Sequence, residues 1–559
     1  MNYPSIWGAD ALFSYGGSGA ISGRLCPHRL GIRFETPMGC TMLFHAGDII
    51  KTEYECVMTD RICLKVITPE AESSLEVLAV SPCGVLVLAD GSIDVSVCFD
   101  GKSDITELGD ERTYVCGEDE ASLVMKDGQK RLIALALGKN SLERAQSILG
   151  MDIDLCRERV IRKHASLTIP NGISAQHEQV YRRCASIVHS SICTDGESRI
   201  FAKRDAHGLY IDSRQAMLAA VGLKNIFPKV SLSTVTYLAD FVDESGILPA
   251  VIKGGFGDSS CAAPLLPWAF CQVCGEEEAL VERFYGALRK HVLYFINERD
   301  MNKNNLYHWL AGAKNNPGID SGMLNSPRFA DNVIVDAPDL CVYLYMSVKA
   351  MAKMSELIKE NNDVLYWGVI AERIRLGIND LLYNDDDKLF FDRSVIGKKL
   401  SKTKTIAGLM PIFGGMCNPS RLACLTEHLF DKHSFGAKYG VASVSKSEKS
   451  FESDMYAGSV CFEENYKIVY GLLMSGEREK AARIAARCLE AASRGYQTNG
   501  VVFEYYHPDS LSYTPCQKRC GLGGGSMGIY GYNTCRRDCA TSAAFVLAMI
   551  DLLSSNEQK

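Results

Sequence analysis

No run of about 18 apolar residues occurs anywhere in this 559-residue chain, so no membrane-spanning helix is expected. Blocks of lysine and arginine are also missing. Sixty Lys plus Arg stand against 67 Asp plus Glu, a net charge of −7, which leaves no electrostatic footprint for a polyanion and argues against nucleic acid as a partner. The opening residues, MNYPSIWGADALFSYGG, lack a basic n-region and a long apolar h-region, so no secretory signal is expected. No sequence repeat is visible. The glycine-rich stretch GLGGGSMG lacks the GK[ST] of a phosphate-binding loop and no strand clearly precedes it, which rejects nucleotide binding.

What is present describes a compact globular protein. Apolar residues make up 47% and charged residues 23%, enough to bury a large core, and the length allows two to four domains, or one large repetitive domain with a satellite. The 22 cysteines are scattered, mostly inside apolar runs such as Cys341 in APDLCVYLY and Cys488 in AARCLEAA. There a reduced cysteine acts as a small hydrophobe, which points to a reducing cytoplasm. An oxidised, secreted chain is the competing reading.

Up to about residue 165 short alternating segments, among them Leu75–Val80, Val85–Ala89, Ile93–Phe99 and Arg131–Leu137, are separated by Gly, Asp and Pro turns, the pattern of a β-sandwich over residues 1–165. From about 175 the period becomes helical. In Glu276–Glu298 the residues Leu280, Phe284, Leu288, Val292 and Phe295 fall on one face. About twelve such stretches, near 175–194, 213–224, 228–243, 263–274, 276–298, 336–360, 363–383, 404–413, 418–430, 461–475, 477–493 and 540–554, would pair into an (α/α)6 toroid over 175–555. Two long connections, near 299–335 and 494–539, interrupt them. With Trp309, Pro317, Arg328, Tyr505 and Tyr506 they are too aromatic for disorder, and the working site is expected there.

The loop NPGIDSGMLNSPRFADN gathers Asp320, Asn325, Ser326 and Arg328, residues able to hold a polyhydroxylated ligand; a turn capping the following helix is the plainer reading. In VVFEYYHPDSLS, Glu504 sits among Phe503, Tyr505 and Tyr506. A carboxylate oriented among aromatics suits a general base, while a hairpin with one solvated Glu is the alternative.

These two elements carry a resemblance. From about 195 to 553 the chain resembles the toroidal glycosidases related to trehalase, processing α-glucosidase I and mannosylglycerate hydrolase, glycoside hydrolase families 37 and 63. DSGMLNSPRF is similar to the family pattern ESGxDNSPRF. VDAPDLCVYLYMSVKAMAKMSELI, LLPWAF, YGVASVSKS and VFEYYHPDS also match, in the family's order. The resemblance implies that Glu504 activates water and that Asp212, in LYIDSRQAML, is the carboxylate of the family's WD motif. It implies a helical wall carrying Trp268, and a sugar-gripping loop carrying Asn325 and Arg328, with Tyr456 and Tyr505 also at the substrate. Such enzymes hold an acid and a base about 6.5–9.5 Å apart and invert the anomer.

The departures bear on substrate. Leu324 stands where the family has its general acid Asp. MYAGSVC aligns with YWRGPVW, so Tyr456 replaces Trp, Ala457 replaces Arg and Cys461 replaces Trp; Ile211 and Ala540 replace further aromatics. Three explanations compete. Another carboxyl, Asp320, Glu463 or Glu464, donates the proton; or no strong acid is needed, because the leaving group is good or the reaction is an elimination or isomerisation; or catalysis is lost and the protein binds a sugar. The expectation is an inverting glycoside hydrolase, cytoplasmic, acting on a small, negatively charged or otherwise modified glycoside. The rivals are a sugar-binding pseudoenzyme and a lyase or epimerase. No cofactor is required on this reading, and the oligomeric state is open.

A separate feature is CQKRC and CRRDC. Cys516, Cys520, Cys535 and Cys539 form two C-x3-C pairs whose spacing allows a structural zinc site, reduced packing cysteines or disulfides.

Overall fold

The computed structural model describes residues 2–3, 11–26, 30–171, 173–205, 208–252, 261–312, 318–519 and 534–557. The chain divides into two compact units. One comprises Met1–Ile192, Ala492–Val502 and Arg537–Ala543; the other comprises Cys193–Ala491, Phe503–Arg536 and Ala544–Lys559.

The first unit is the β-sandwich. Period-two alternation puts one face of each strand into the core. The larger sheet runs, in spatial order, Asn2–Tyr3, Lys51–Val57, Arg61–Ile67, Glu72–Ser81, Gly84–Ala89, Arg131–Leu137, Asp119–Lys126, Glu111–Cys116 and Asp104–Leu108. The smaller runs Asp94–Cys98, Thr41–His45, Gly31–Phe34, Ser22–Leu25 and Leu12–Ser14, and neighbours pair antiparallel in both. Helices α1 (Ser141–Leu149) and α2 (Ile153–Ala165) lay Ala145, Ile148, Cys156 and Val160 on Leu78, Leu86, Val124 and Ala134 of the larger sheet. Asp152 caps α2 by accepting the N–H groups of Asp154 and Leu155.

Helix α3 (Ala175–Ser190) belongs to this unit, although its helical period reads as the start of the toroid. A buried polar tie explains the difference. Asp538 accepts from the Arg183 guanidinium of α3, from Leu12 N–H at 2.6 Å and from Val502 N–H at 3.1 Å, which draws the two late segments into the first unit.

The second unit is the (α/α)6 toroid. Its helices are α4 (Ser213–Leu223), α5 (Pro228–Asp240), α6 (Leu266–Cys274), α7 (Glu278–Glu298), α8 (Pro338–Leu357), α9 (Asn361–Leu381), α10 (Pro419–Phe430), α11 (Phe462–Met474), α12 (Arg478–Asn499) and α13 (Ala540–Glu557). Residues 404–413 form the 3-10 segment Ile406–Ile412 instead of an α-helix, because Pro411 removes an N–H donor within it. The inner ring passes from α4 to α6, α8, the 3-10 segment and α11, each touching the next. It closes through α13: Phe545 lies 5.1 Å from the Tyr466 ring of α11, and Ala548 packs on Gly222 of α4. A Cβ at Gly222 would stand 2.7 Å from that of Ala548, so only glycine permits this approach. Inner helices are buried all round, as every residue of α4 is. The outer α7 buries only the stripe Val281, Phe284, Tyr285, Leu288, His291, Val292 and Phe295. No helix among the described residues is long and apolar enough to cross a membrane.

Candidate active site

Glu504 follows Phe503 in a bend. Val460 and Tyr506 exchange backbone hydrogen bonds of 2.9 and 3.0 Å, and Glu504 N–H donates to Arg536 C=O at 2.9 Å. The aromatic neighbours are engaged elsewhere. Phe503 and Tyr506 are fully buried, with Tyr506 stacked on Phe462 at 4.7 Å, and Tyr505 donates its hydroxyl to Lys518 C=O at 2.7 Å. Cations surround Glu504 in place of rings. Arg519 Nε donates to Glu504 Oε2 at 2.9 Å, and Arg536 and Lys203 act on the same carboxylate. Burial alone would push this carboxyl up; the three cations outweigh it and hold the group at about 2.

Asp212 joins this cluster from the start of α4. Its side chain caps the helix by accepting Gln215 N–H at 3.0 Å, and Lys203 Nζ stands 3.6 Å from Oδ2. Arg536 donates to the Tyr210 hydroxyl at 2.8 Å, and Lys203 lies over the same ring, 5.6 Å from its centroid. Lys203, Arg519, Arg536 and Tyr210 carry no signal in a reading for carboxylates and thiols. Arg519 and Arg536 lie inside CQKRC and CRRDC, where the cysteines draw attention first.

The loop bearing Leu324 is tied to the Glu504 segment in two steps. Asn325 takes a left-handed conformation, φ 56°, which asparagine tolerates; its side chain donates to Asp454 C=O at 3.2 Å and accepts Tyr456 N–H at 3.1 Å. Asp454 in turn accepts Lys518 N–H at 2.8 Å. Asn325 is therefore a brace between loops, and Tyr456 is buried beside it. Gly322 of the same loop packs on the Arg214 guanidinium so closely that a Cβ would lie 2.5 Å from it, at φ +73°.

Arg214 opens a second, buried cluster. It pairs with Glu463, which also accepts from Gln215 at 2.7 Å and Lys467 at 3.1 Å. Lys467 donates to both oxygens of Glu464, at 3.0 and 3.1 Å, and to the Tyr343 hydroxyl at 2.9 Å. Burial opposes ionisation of Glu463, but Arg214 and Lys467 hold it well below the usual carboxylate range; burial and the Glu463 charge push Glu464 up, against Lys467. Cys461 lies within the field of Glu464, Glu463 and Glu504, between the two clusters.

Three expected site residues need correction. Asp320 is gripped by Arg299, whose two terminal nitrogens donate at 2.8 and 3.1 Å, and it accepts Leu310 N–H at 2.9 Å, so it anchors a loop. Arg328 is 1% exposed and bridges Asp339 and Asp392, which leaves no donor for a sugar. Trp268 is buried edge-on against Phe413 at 5.3 Å and Tyr470 at 5.7 Å, as packing of the inner ring. Of the four late cysteines, Cys520 lies outside the described residues. Cys516 is exposed, Cys539 is buried, and Cys535 donates to Tyr505 C=O at 3.4 Å. Among the described residues no group of three or more His, Cys, Asp or Glu is placed to hold a metal ion.

Residues 234–513 match the family described as mannosylglycerate hydrolase MGH1-like glycoside hydrolase domain. No curated protein sequence matches the chain. Among solved structures, the GH63 mannosylglycerate hydrolase from Thermus thermophilus in complex with glucose is 17% identical with TM-score 0.52, the match covering 66% of this chain and 99% of that one. The same hydrolase in complex with Tris and D-glycerate gives 15% identity and TM-score 0.51, with the same coverage. At these identities the likeness is one of fold.

Proposed function

This chain belongs to the mannosylglycerate hydrolase MGH1-like glycoside hydrolase family and is a glycosidase; from that premise we propose that it hydrolyses, with inversion, a small glycoside carrying a negative charge. The observation that carries the reading is the carboxylate of Glu504 set among Lys203, Arg519 and Arg536, with Lys203 also facing Asp212. In the reaction water attacks the anomeric carbon as the bond to the leaving oxygen breaks, and Glu504 takes the water proton. A group held at about 2 is ionised but weakly basic. An anionic substrate that engages Arg519 or Lys203 relieves their pull and raises Glu504 toward the range a base needs. The Thermus relative was solved with glucose, and with Tris and D-glycerate, a sugar in one case and a small carboxylate in the other.

Leu324 cannot donate a proton, and Asp320, Glu463 and Glu464 are each paired with a cation. Burial and the Glu463 charge displace Glu464 in an acid's direction, yet Lys467 holds both its oxygens. We assign the protein to glycosides whose leaving group departs with little protonation. Buried cysteines such as Cys341 and Cys488 pack as small hydrophobes, as they would in a reducing cytoplasm, where such a substrate would be an imported small molecule.

A series of aryl and alkyl glycosides, each with and without a carboxylate, tests this on the full chain. The reading requires turnover that rises steeply with leaving-group acidity, prefers the charged member of each pair and disappears in Glu504→Gln. Equal rates on aryl and alkyl glycosides, or no turnover of any, would overturn it.

A further inference from the structure

In the larger sheet the strands Lys51–Val57 and Arg61–Ile67 form a hairpin closed by a hydrogen bond of 2.8 Å from Met58 N–H to Arg61 C=O. Its register sets Cys56 directly opposite Cys63. A bulge makes this possible. Glu53 pairs with Lys65 and Tyr54 with Leu64, and Glu55 is then passed over before Cys56 meets Cys63. In a regular strand Glu53 and Cys56, three residues apart, would face opposite sides of the sheet; the extra residue brings both to the face that carries Arg61 and Lys65. Ile62, Leu64 and Val66 fill the other face, each buried. Antiparallel partners stand about 4.5–5.5 Å apart at Cα, inside the span of about 4.4–6.8 Å that a disulfide bridges. The two thiols share a hydrogen bond. Cys56 is half-buried and Cys63 is 9% exposed, so a reagent meets Cys56 first.

We propose that Cys56 and Cys63 are a thiol–disulfide exchange site, which a small-molecule disulfide such as oxidised glutathione closes into a cross-strand bond. The surroundings make Cys56 the attacking sulfur. Its hydrogen bond with Cys63 and the charge of Arg61 hold the Cys56 thiol below its ordinary value against burial, while the same hydrogen bond and burial push Cys63 up. The nearby acids are already neutralised: Glu76, which pairs with Cys63 on its other side, is bound by Arg61 and Arg157, and Asp60 by Lys163 and His164. The Cys56 thiolate attacks one sulfur of glutathione disulfide, the S–S bond of that molecule breaks, and the expelled thiolate takes a proton from water. Cys56 then carries no charge to oppose ionisation of Cys63. Cys63 gives its proton to water, its sulfur attacks that of Cys56, and the second glutathione leaves as a thiolate and is protonated in turn. The two protein thiols lose two electrons between them, and one glutathione disulfide becomes two glutathione thiols. The site belongs to the sandwich and does not depend on the roles assigned to Glu504 or Leu324.

The test exposes the folded full chain to oxidised glutathione, alkylates the remaining thiols under denaturing conditions and maps tryptic peptides by mass spectrometry, in wild type, Cys56→Ser and Cys63→Ser. Trypsin cuts after Lys51, Arg61 and Lys65, so the new bond joins two peptides that are otherwise separate. In wild type Cys56 and Cys63 should lose alkylation together, in more than half of the chains, with the linked peptide appearing in step and disappearing on treatment with dithiothreitol. Cys63→Ser should stop at the mixed disulfide and carry glutathione on Cys56, and Cys56→Ser should leave Cys63 unmodified. The exposed Cys516 reports that the oxidant is active. Glutathione on Cys516 with Cys56 and Cys63 both still alkylated in wild type would overturn the proposal. So would a wild-type chain that stops at glutathione on Cys56, a link from Cys56 to any other cysteine, or glutathione on Cys63 in Cys56→Ser.

Discussion

Replacing Arg328 by leucine separates a structural arginine from a substrate-binding one. Arg328 donates through both terminal nitrogens to Asp339, at 2.8 and 2.9 Å, and through Nε to Asp392 at 2.9 Å, with all three side chains buried. Leucine leaves two carboxylates in the interior without a counter-charge. Breaking a buried pair from one side costs about 3–5 kcal/mol. For a large domain that is a fall in melting temperature of about 6–20 °C, toward the lower end because the unit is big. Differential scanning calorimetry reads the shift, and steady-state kinetics well below it reads KM. The structure requires a large drop in melting temperature with KM unchanged in the enzyme that stays folded. A companion chain carrying Arg328→Leu with Asp339→Asn and Asp392→Asn should regain part of the loss, since no orphan charge remains. A melting temperature within about 1 °C of wild type together with a tenfold rise in KM would refute the reasoning and restore Arg328 to the sugar.

Three further outcomes follow from the same geometry. Lys203→Met removes one cation facing Glu504 and Asp212, and should raise KM for a carboxylate-bearing glycoside by about 10–100-fold, the worth of a charge-assisted hydrogen bond, while a neutral analogue changes little; equal effects on both would contradict an anionic substrate. Leu324→Asp should accelerate alkyl glycosides more than aryl ones and flatten the dependence on leaving group, by up to about 10²–10⁴-fold where protonation limits the rate; no gain on alkyl substrates argues that position 324 does not face the leaving oxygen. Glu504 has a folded value of about 2 against 4.5, so its contribution, about 3 kcal/mol, is full above pH 4.5 and fades as the pH falls toward 2. Acid unfolding of Glu504→Gln followed by circular dichroism should therefore be less steep across that window than in wild type, and identical slopes would contradict the ion-pair account.

The fold is readable in the chain because period and punctuation agree: strand alternation ends near Leu137, and helical stripes such as that of Glu278–Glu298 begin after it. What period cannot show is which unit a helix joins. That is decided for α3 by Arg183 and Asp538, 355 residues apart in sequence. In the site, the position of Glu504 is legible from its motif, but its surroundings are not, since Lys203, Arg519 and Arg536 arrive from three other segments. Glu463 and Glu464 carried a usable signal that a search for acids passes over. Lys467 follows them at i+4 and i+3, the spacing of an intrahelical ion pair, which marks neutralised glutamates. Arg328 shows the opposite failure, because a motif places an arginine in a loop without saying which way its fork points.

The most direct measurement is the anomeric configuration of the first product, followed by proton NMR during turnover of the best charged aryl glycoside by wild type and by Glu504→Gln. Hydrolysis by water activated at Glu504 yields the inverted sugar first, with the rate falling at least about 10²-fold in the variant. A product that first appears with retained configuration, or a variant that turns over as fast as wild type, would contradict the account.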